Sequence, residues 1–175
     1  MFDRDGITKA LAQLGGLAAA ESVTIELFVV GGARIVLMHG ERQSTKDIDA
    51  VVLAPAPTSR VRELVEQVAR ELNLPEDWLN EGAKGFIGNK VQGEVAFEAP
   101  GICVFAAPDA QMLALKLWAW RDDVDRKDAM TCLGRLTGTK DEIWREVETY
   151  ISEKAALYKV QLAYDEVWEL CHGSP

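Results

Sequence analysis

Two aspartates separated by a single residue offer the clearest chemistry in this sequence. Asp47 and Asp49 open an apolar run that predicts a β-strand, and residues two apart on a strand point to the same face. Two carboxylates aimed at one spot repel each other unless a cation lies between them. Mg²⁺, or Mn²⁺ in its place, prefers such oxygen ligands and often completes its coordination with substrate phosphates. The pair predicts a divalent-metal site; ion pairs with Lys46 or Arg42 are the alternative.

A glycine pair upstream supplies the second half of the predicted site. Gly31 and Gly32 end the apolar run from Ile25 to Val30, and a short helical segment follows from Ala33 to Gly40. Glycine lets the backbone approach a ligand closely, and a helix N-terminus attracts anions. A plain strand-to-helix turn needs the same two glycines. A phosphate cradle that faces two metal-binding carboxylates suits phosphoryl or nucleotidyl transfer.

The elements that must position these residues predict an α/β fold. Strands are predicted at residues 23–30 and 47–53, and two short strands within residues 91–105 with a break at Pro100-Gly101. Helices are predicted at residues 6–20, 33–38, 58–72, 109–120, 129–136, 143–151 and 155–170. We expect a small mixed β-sheet flanked by helices over residues 1–136. The helical elements of residues 137–175 are expected to pack on the same domain.

Local signals refine several of these elements. Gly15 and Gly16 should weaken or end the first helix, because glycine is a poor helix former. Thr58 is placed to cap the helix that follows it, and Thr139 is placed to open a capping box. Residues 76–88 predict a short helix followed by a loop.

Composition limits the classes of partner. The chain has 175 residues and a formal net charge of −9, which argues against sequence-independent nucleic-acid binding through a basic surface. An RNA held on a local basic patch stays compatible with this charge. No apolar run approaches the roughly 20 residues that span a bilayer, so no membrane partner is expected. Three widely spaced cysteines predict reduced thiols in a cytoplasmic protein.

The glycine pair and the aspartate pair, in this order, resemble a known signature. Gly31-Gly32 followed by Asp47-Ile48-Asp49 at the head of a strand resembles the polymerase-β-type nucleotidyltransferase superfamily. The phrase Ser-Thr-Lys-Asp-Ile-Asp at residues 44–49 is similar to its abortive-infection branch, which includes toxins of bacterial toxin–antitoxin pairs. The resemblance covers about residues 5–136. It implies Mg²⁺-dependent transfer of a nucleoside monophosphate from a nucleoside triphosphate to an acceptor hydroxyl. RNA, such as a tRNA end, is the implied acceptor, and an antitoxin is the implied protein partner.

The resemblance also implies roles for individual residues. Asp47 and Asp49 would hold the metal, and the amides of Gly31 and Gly32 would contact the β- and γ-phosphates of the nucleotide. Thr45, like Ser44 and Arg42, precedes the aspartates in what the sequence predicts to be a solvated turn. Contact of Thr45 or Arg42 with the nucleobase or a phosphate is the alternative.

Lys116 lies inside an otherwise apolar helix, where a lysine is costly to bury unless it meets a charge. Its phrase, Leu113-Ala114-Leu115-Lys116-Leu117, is similar to one that contacts nucleotide phosphate in the branch, and a side chain that reaches out to solvent is the alternative. Asp128, or Asp125 in its place, would lie beside the active site by the same resemblance. A salt bridge of Asp128 with Lys127 is the plain alternative.

The third carboxylate of many superfamily members has no clear counterpart in this sequence. Glu94 and Glu98 are the acids available on a later strand, but neither lies in a matching phrase. Asp128 is the remaining candidate. This departure favours a second hypothesis, a non-catalytic nucleotide-binding or protein-interaction module on the same fold. A glycosyltransferase that uses an Asp-x-Asp motif and a nucleotide-sugar is a third.

Overall fold

The computed structural model describes residues 1–40, 42–55, 57–87 and 91–173. The α/β class is confirmed, with a five-stranded mixed sheet and helices that include the C-terminal one. The chain divides into two compact units, which are Met1–Lys84 with Val91–Ala107 (unit 1) and Gly85–Lys90 with Pro108–Pro175 (unit 2).

The division between the units differs from the predicted boundary at residue 136. It falls between Ala107 and Pro108, because the helix that starts at Asp109 packs with the C-terminal helices. That helix is apolar on nearly all sides, so it needs helices around it. Within the described part of the chain, no helix is both long enough and apolar enough to cross a membrane.

Unit 1 holds the sheet and three helices that precede or connect its strands. Its elements are α1 (Arg4–Ala20), β1 (Ile25–Val29), α2 (Gly31–Met38), β2 (Ile48–Ala54), α3 (Ser59–Leu72), β3 (Leu79–Asn80), β4 (Glu94–Ala99) and β5 (Ile102–Ala106). A four-residue helix, Lys84–Ile87 (α4), follows β3. The strand order is β3-β2-β1-β5-β4. Strand β1 is antiparallel to β2 and parallel to β5, while β4 is antiparallel to β5 and β3 is parallel to β2.

Alternate strand residues build the core of unit 1. Ile25, Leu27 and Val29 of β1 are fully buried, in one cluster with Ile48 and Ala50 of β2. Apolar residues of α1 and α3 complete this cluster, so these two helices cover one face of the sheet. The even alternation places the intervening residues of β1, β2 and β5 on the opposite face.

Helix α1 runs through both of its glycines instead of ending at them. It begins at the cap Asp3, whose side chain accepts a hydrogen bond from the Gly6 amide, and continues to Ala20. Gly15 lies where α1 passes close to the start of β5. A Cβ there would lie 2.5 Å from Ile102 Cγ2 and 2.6 Å from the Pro100 carbonyl oxygen. A Cβ on Gly16 would meet nothing within 4 Å.

The chain's first residues are fixed to the turn that precedes β2. The Phe2 amide donates to the Thr45 carbonyl oxygen at 2.7 Å, and the Thr45 amide donates to the Phe2 carbonyl oxygen at 2.8 Å. Phe2 is buried and its ring lies 6.4 Å from that of Trp78. This two-way bridge holds the turn between α2 and β2 against the core.

Strand β3 occupies the region where the sequence predicted a short helix followed by a loop. The structure instead has a strand followed by a helix, since Leu79-Asn80 pair with β2 and α4 comes afterwards. The cause is Trp78, which is fully buried and donates from Nε1 to the Val65 carbonyl oxygen at 3.0 Å. A second prediction also fails, because Thr58 makes no side-chain cap on α3. Helix α3 ends at the cap Asn73, which has a left-handed conformation.

Unit 2 is helical. Its elements after Pro108 are α5 (Asp109–Ala119), α6 (Asp123–Leu133), α7 (Lys140–Glu148), a 3₁₀ turn (Lys154–Ala156) and α8 (Leu157–His172). Helix α5 contacts the other three helices. Helix α6 begins earlier than predicted, because the Asp122 side chain caps it by accepting from the Val124 and Asp125 amides. The predicted capping box of Thr139 and Glu142 is confirmed at the start of α7.

The two glycines of α1 provide a matched test of this packing. Gly15→Ala should lower the free energy of unfolding by about 1–3 kcal/mol, because the new methyl group overpacks against β5. Gly16→Ala should raise it by about 0.5–1 kcal/mol, because alanine is the better helix former in an open position. Urea unfolding of both variants measures the difference, and equal effects would contradict the close crossing at Gly15.

Candidate functional site

Asp49 is positioned by the pairing of β1 with β2. Val29 lies opposite Ala50, and the Val30 amide donates to the Asp49 carbonyl oxygen at 2.9 Å. Ile48 and Ala50 are buried in the core, so the side chain of Asp49 lies on the other face of the sheet and is half-buried. Asp47 immediately precedes β2 and is half-buried as well.

The structure brings the glycine turn and Asp49 into direct contact. Gly31 has a positive φ of 65°, in the region that favours glycine. A Cβ on Gly31 would lie 2.9 Å from Asp49 Oδ2 and 3.5 Å from Asp49 Cβ. The Asp49 carboxylate therefore occupies the space that a side chain at position 31 would need.

Gly32 lies in the first turn of α2, against Thr45 and Arg42. A Cβ on Gly32 would lie 2.5 Å from Thr45 Oγ1 and 2.8 Å from the Arg42 guanidinium carbon. Thr45 is only 3% exposed, and the Arg42 Nε donates to the Ser44 carbonyl oxygen at 2.9 Å. The N-cap residue of α2, Val30, makes no side-chain cap hydrogen bond. A hydroxyl and a guanidinium thus meet the start of a helix whose amides attract anions.

Asn80 is a site residue that the sequence reasoning missed. It lies opposite Asp49 in the parallel pairing of β2 with β3. Its Nδ2 lies 3.4 Å from Asp47 Oδ2, and its Oδ1 accepts from the Gly82 amide at 2.8 Å. A two-residue strand shows no periodicity, so the only sequence signal was the buried tryptophan that precedes it.

The acids of β4 are too far away to join the aspartate pair. Glu94 lies opposite Ala106, and Ala106 lies opposite Val29, which in turn lies opposite Ala50. Three strand spacings, about 14 Å, therefore separate Glu94 from β2. Glu98 is on the same edge strand and lies opposite Cys103, further along the sheet. Neither can share a cation with Asp47 and Asp49.

The donor set of this region suits a hard cation. Asp47 and Asp49 offer carboxylate oxygens, the kind of ligand that Mg²⁺ takes. Among the residues that the structure describes, no three histidine, cysteine or acidic side chains group closely enough to form a complete protein-built metal site. A site of two carboxylates fits Mg²⁺ that shares its remaining coordination with substrate phosphates and water.

Lys116 and Asp128 belong to a buried ion cluster in unit 2. The Lys116 side chain is 9% exposed, and its Nζ lies 2.9 Å from Asp125 Oδ1 and 2.7 Å from Asp128 Oδ2. Arg121 adds a second cation, with its Nε 2.9 Å from Asp125 Oδ2. Lys116 therefore does not reach out to solvent, and it contacts both of the aspartates between which the sequence left the choice open. Its role in phosphate binding stays a prediction.

The cluster changes the acidity of Asp125. Burial raises the pKa of Asp125, but the hydrogen bonds from Arg121 and Lys116 outweigh it and lower the pKa to about 2. Two cations, Lys116 and Arg121, face two carboxylates in this cluster, so its formal charges balance. Such a buried group is costly to disrupt on one side, because an unpaired charge is left inside the protein.

The chain was also compared with known proteins. No model of a protein family matches it, and no curated protein or solved structure matches it either. The nucleotidyltransferase type of the fold therefore stays a prediction, and function has to be inferred from the geometry of the site.

Acid should remove the stabilisation that Asp125 provides. Its pKa is lowered by folding, so its contribution is present above the unfolded value near 3.8 and is lost as the pH falls towards 2. The difference in unfolding free energy between wild type and Asp125→Asn should shrink by about 1–2 kcal/mol from about pH 6 to about pH 2.5. Urea unfolding at both pH values measures it.

Asp77→Asn is the matched control for the acid experiment, because Asp77 is exposed in the loop before β3. The difference between this variant and wild type should stay within about 0.5 kcal/mol at both pH values. A difference for Asp125→Asn that is independent of pH would contradict the ionised state of the buried cluster.

Proposed function

We propose that this chain is a Mg²⁺-dependent nucleotidyltransferase on a nucleotidyltransferase-type fold. It would move a nucleoside monophosphate from a nucleoside triphosphate to an acceptor hydroxyl. The observation that carries this proposal is the contact between Asp49 and Gly31, where a Cβ would lie 2.9 Å from the carboxylate oxygen. A helix N-terminus that can hold phosphate and a carboxylate that can hold a metal thus occupy one place.

Asp47 and Asp49 would hold the metal, and Mn²⁺ could replace Mg²⁺ there. When bound, the ion would neutralise the negative charge shared by the carboxylates and the nucleotide phosphates. Asn80 and the backbone of β2 would keep the two carboxylates in place. The burial of Ile48 between them supports this arrangement, because it fixes the side of the strand from which Asp49 projects.

The triphosphate would bind at the start of α2. The amides of Gly31 and Gly32 lie in its first turn, and Thr45 Oγ1 and the Arg42 guanidinium lie against Gly32. The Arg42 guanidinium is repelled by the positive end of the helix, but a phosphate bound between the two is attracted by both. These contacts favour the phosphate-binding alternative that the sequence left open for Thr45 and Arg42.

The proposed reaction is a displacement at the α-phosphorus. The acceptor oxygen forms a bond to the α-phosphorus while the bond to the oxygen bridging the α- and β-phosphates breaks, so pyrophosphate leaves with that electron pair. The acceptor hydroxyl loses its proton to water. Orientation of the reactants and stabilisation of charge account for most catalysis of such reactions, so a site without a third carboxylate can still act.

The acceptor that we infer is RNA, with a tRNA end as one form, and the partner is a cognate antitoxin in a toxin–antitoxin pair. Both follow from the resemblance of residues 44–49 to the abortive-infection branch. The cytoplasm is the compartment that we infer, since the three cysteines are widely spaced in the sequence, as is typical of reduced thiols.

A non-catalytic nucleotide-binding or protein-interaction module is the second candidate, and one observation favours it. On the face of the sheet that carries Asp49, the fully described strand β5 presents Cys103 and Phe105 instead of an acid. Saturable binding of Mg²⁺ and nucleotide without transfer to any acceptor would support this candidate.

Transfer should depend on the aspartate pair. We expect the wild-type chain, incubated with Mg²⁺, total RNA and each nucleoside triphosphate labelled at the α-phosphate, to attach label to RNA. Asp47→Asn and Asp49→Asn should each lower the rate by about 100-fold or more, because the loss of a metal ligand removes several kcal/mol of charge stabilisation. Gel electrophoresis of the labelled RNA measures the rate.

Asp77→Asn serves as the charge-matched control for transfer, and it should retain the wild-type rate. Undiminished transfer by Asp49→Asn would overturn the metal-binding role. The absence of transfer in the wild type, together with tight nucleotide binding, would favour the non-catalytic module.

Thr45 and Arg42 should contribute to nucleotide affinity. Thr45→Val keeps the shape of the side chain but removes the hydroxyl, and Arg42→Lys removes the planar fork of donors. Each substitution should raise the dissociation constant for a nucleoside triphosphate by about tenfold, the value of one hydrogen bond to a charged group. Calorimetric titration measures the constants, with Thr58→Val as control. Unchanged affinity in both variants would place the phosphates elsewhere.

A further inference from the structure

The segment that follows α3 is fixed beside the aspartate pair by a buried anchor. Trp78 is fully buried, and its carbonyl oxygen accepts from the Ile48 amide at 2.7 Å. Ile48 is the residue between the two aspartates, so this hydrogen bond sets the register of β3 against them. Asn80, two residues after Trp78, consequently lies next to Asp49.

The orientation of the Asn80 amide is determined by its neighbour Gly82. A backbone N–H can only donate, so the atom of Asn80 that lies 2.8 Å from the Gly82 amide must be the oxygen, Oδ1. The Nδ2 group is thereby turned towards Asp47, with 3.4 Å between Nδ2 and Oδ2. A donor at this position satisfies one carboxylate oxygen of Asp47 and leaves the other for a ligand.

We propose that Asn80 is a positioning residue that orients Asp47 for metal binding, held in turn by Gly82. This inference rests on the proposed function. The amide carries no charge, so it fixes the carboxylate without neutralising it, and the negative charge that attracts the cation is preserved. Partners that orient a metal-binding group in this way commonly change metal affinity by about 10–100-fold.

Gly82 contributes to this arrangement because a side chain there would displace the amide group of Asn80. A Cβ on Gly82 would lie 2.8 Å from Asn80 Oδ1 and 3.6 Å from Asp49 Oδ1. Gly82 is exposed, so an alanine at this position affects the loop and not the core. Gly85 offers a matched control, since a Cβ there would meet nothing within 4 Å.

The test is the affinity of the full chain for Mn²⁺, followed by electron paramagnetic resonance of the free ion without nucleotide. Asn80→Ala and Gly82→Ala should each weaken Mn²⁺ binding by about 10–100-fold relative to wild type. Gly85→Ala and the distant surface variant Gln67→Ala should bind Mn²⁺ as wild type does. Circular dichroism establishes that each variant is folded, and Gly82→Ala retains the test if Asn80→Ala does not fold.

A double-mutant cycle separates positioning from a general loss of structure. If Asn80 acts through Asp47, then Asn80→Ala should change Mn²⁺ affinity by less than about twofold in an Asp47→Ala background. It should keep its full effect in an Asp49→Ala background. Equal effects in both backgrounds would overturn the positioning role.

Two outcomes distinguish failure of this inference from failure of the proposed function on which it rests. Wild-type affinity in both Asn80→Ala and Gly82→Ala, in a chain whose Mn²⁺ binding is weakened in Asp49→Ala, would overturn the role of Asn80 alone. Failure of the wild-type chain to bind Mn²⁺ would overturn the proposed function and the role of Asn80 together.

Discussion

The close approach of the Asp49 carboxylate to the Cα of Gly31 is the constraint on which the rest of unit 1 depends. The antiparallel pairing of β1 with β2 brings the end of one strand to the beginning of the other. Any side chain larger than hydrogen at position 31 would meet the carboxylate oxygen. The backbone of the turn therefore favours glycine at position 31, and the Asp49 side chain lies on the sheet face opposite α1 and α3.

Two aspartate pairs in this chain illustrate different solutions to the same electrostatic problem. Asp125 and Asp128 are neutralised by Lys116 and Arg121 on their own unit, so their charge is already compensated. Asp47 instead receives a hydrogen bond from a neutral amide, that of Asn80. Spacing alone does not separate the two cases, since acids close together in sequence occur in both. Their partners do separate the two cases, and these lie four and nine residues from Asp125 but 33 residues from Asp47.

The features that the sequence predicted depend on local interactions, and those that it missed depend on contacts made only when the chain packs. The glycine turn, the acid-bearing strand and the apolar α5 carry local signals, and they appear where they were expected. Strand β3 is two residues long, so no period identifies it, and Asn80 was missed with it. The partners of Lys116 lie nine and twelve residues away on another helix, and only packing brings them to its ammonium group. Gly15 was expected to weaken or end α1, because a propensity cannot show that β5 passes close enough to exclude a methyl group.

The bridge between Phe2 and Thr45 has a consequence for how the chain is handled. Its two hydrogen bonds join the second residue to the turn that carries Arg42 and Thr45. Any extension ahead of Met1, such as a purification tag, would emerge beside that turn and could obstruct it. A tag at the opposite terminus follows α8, which takes no part in this bridge.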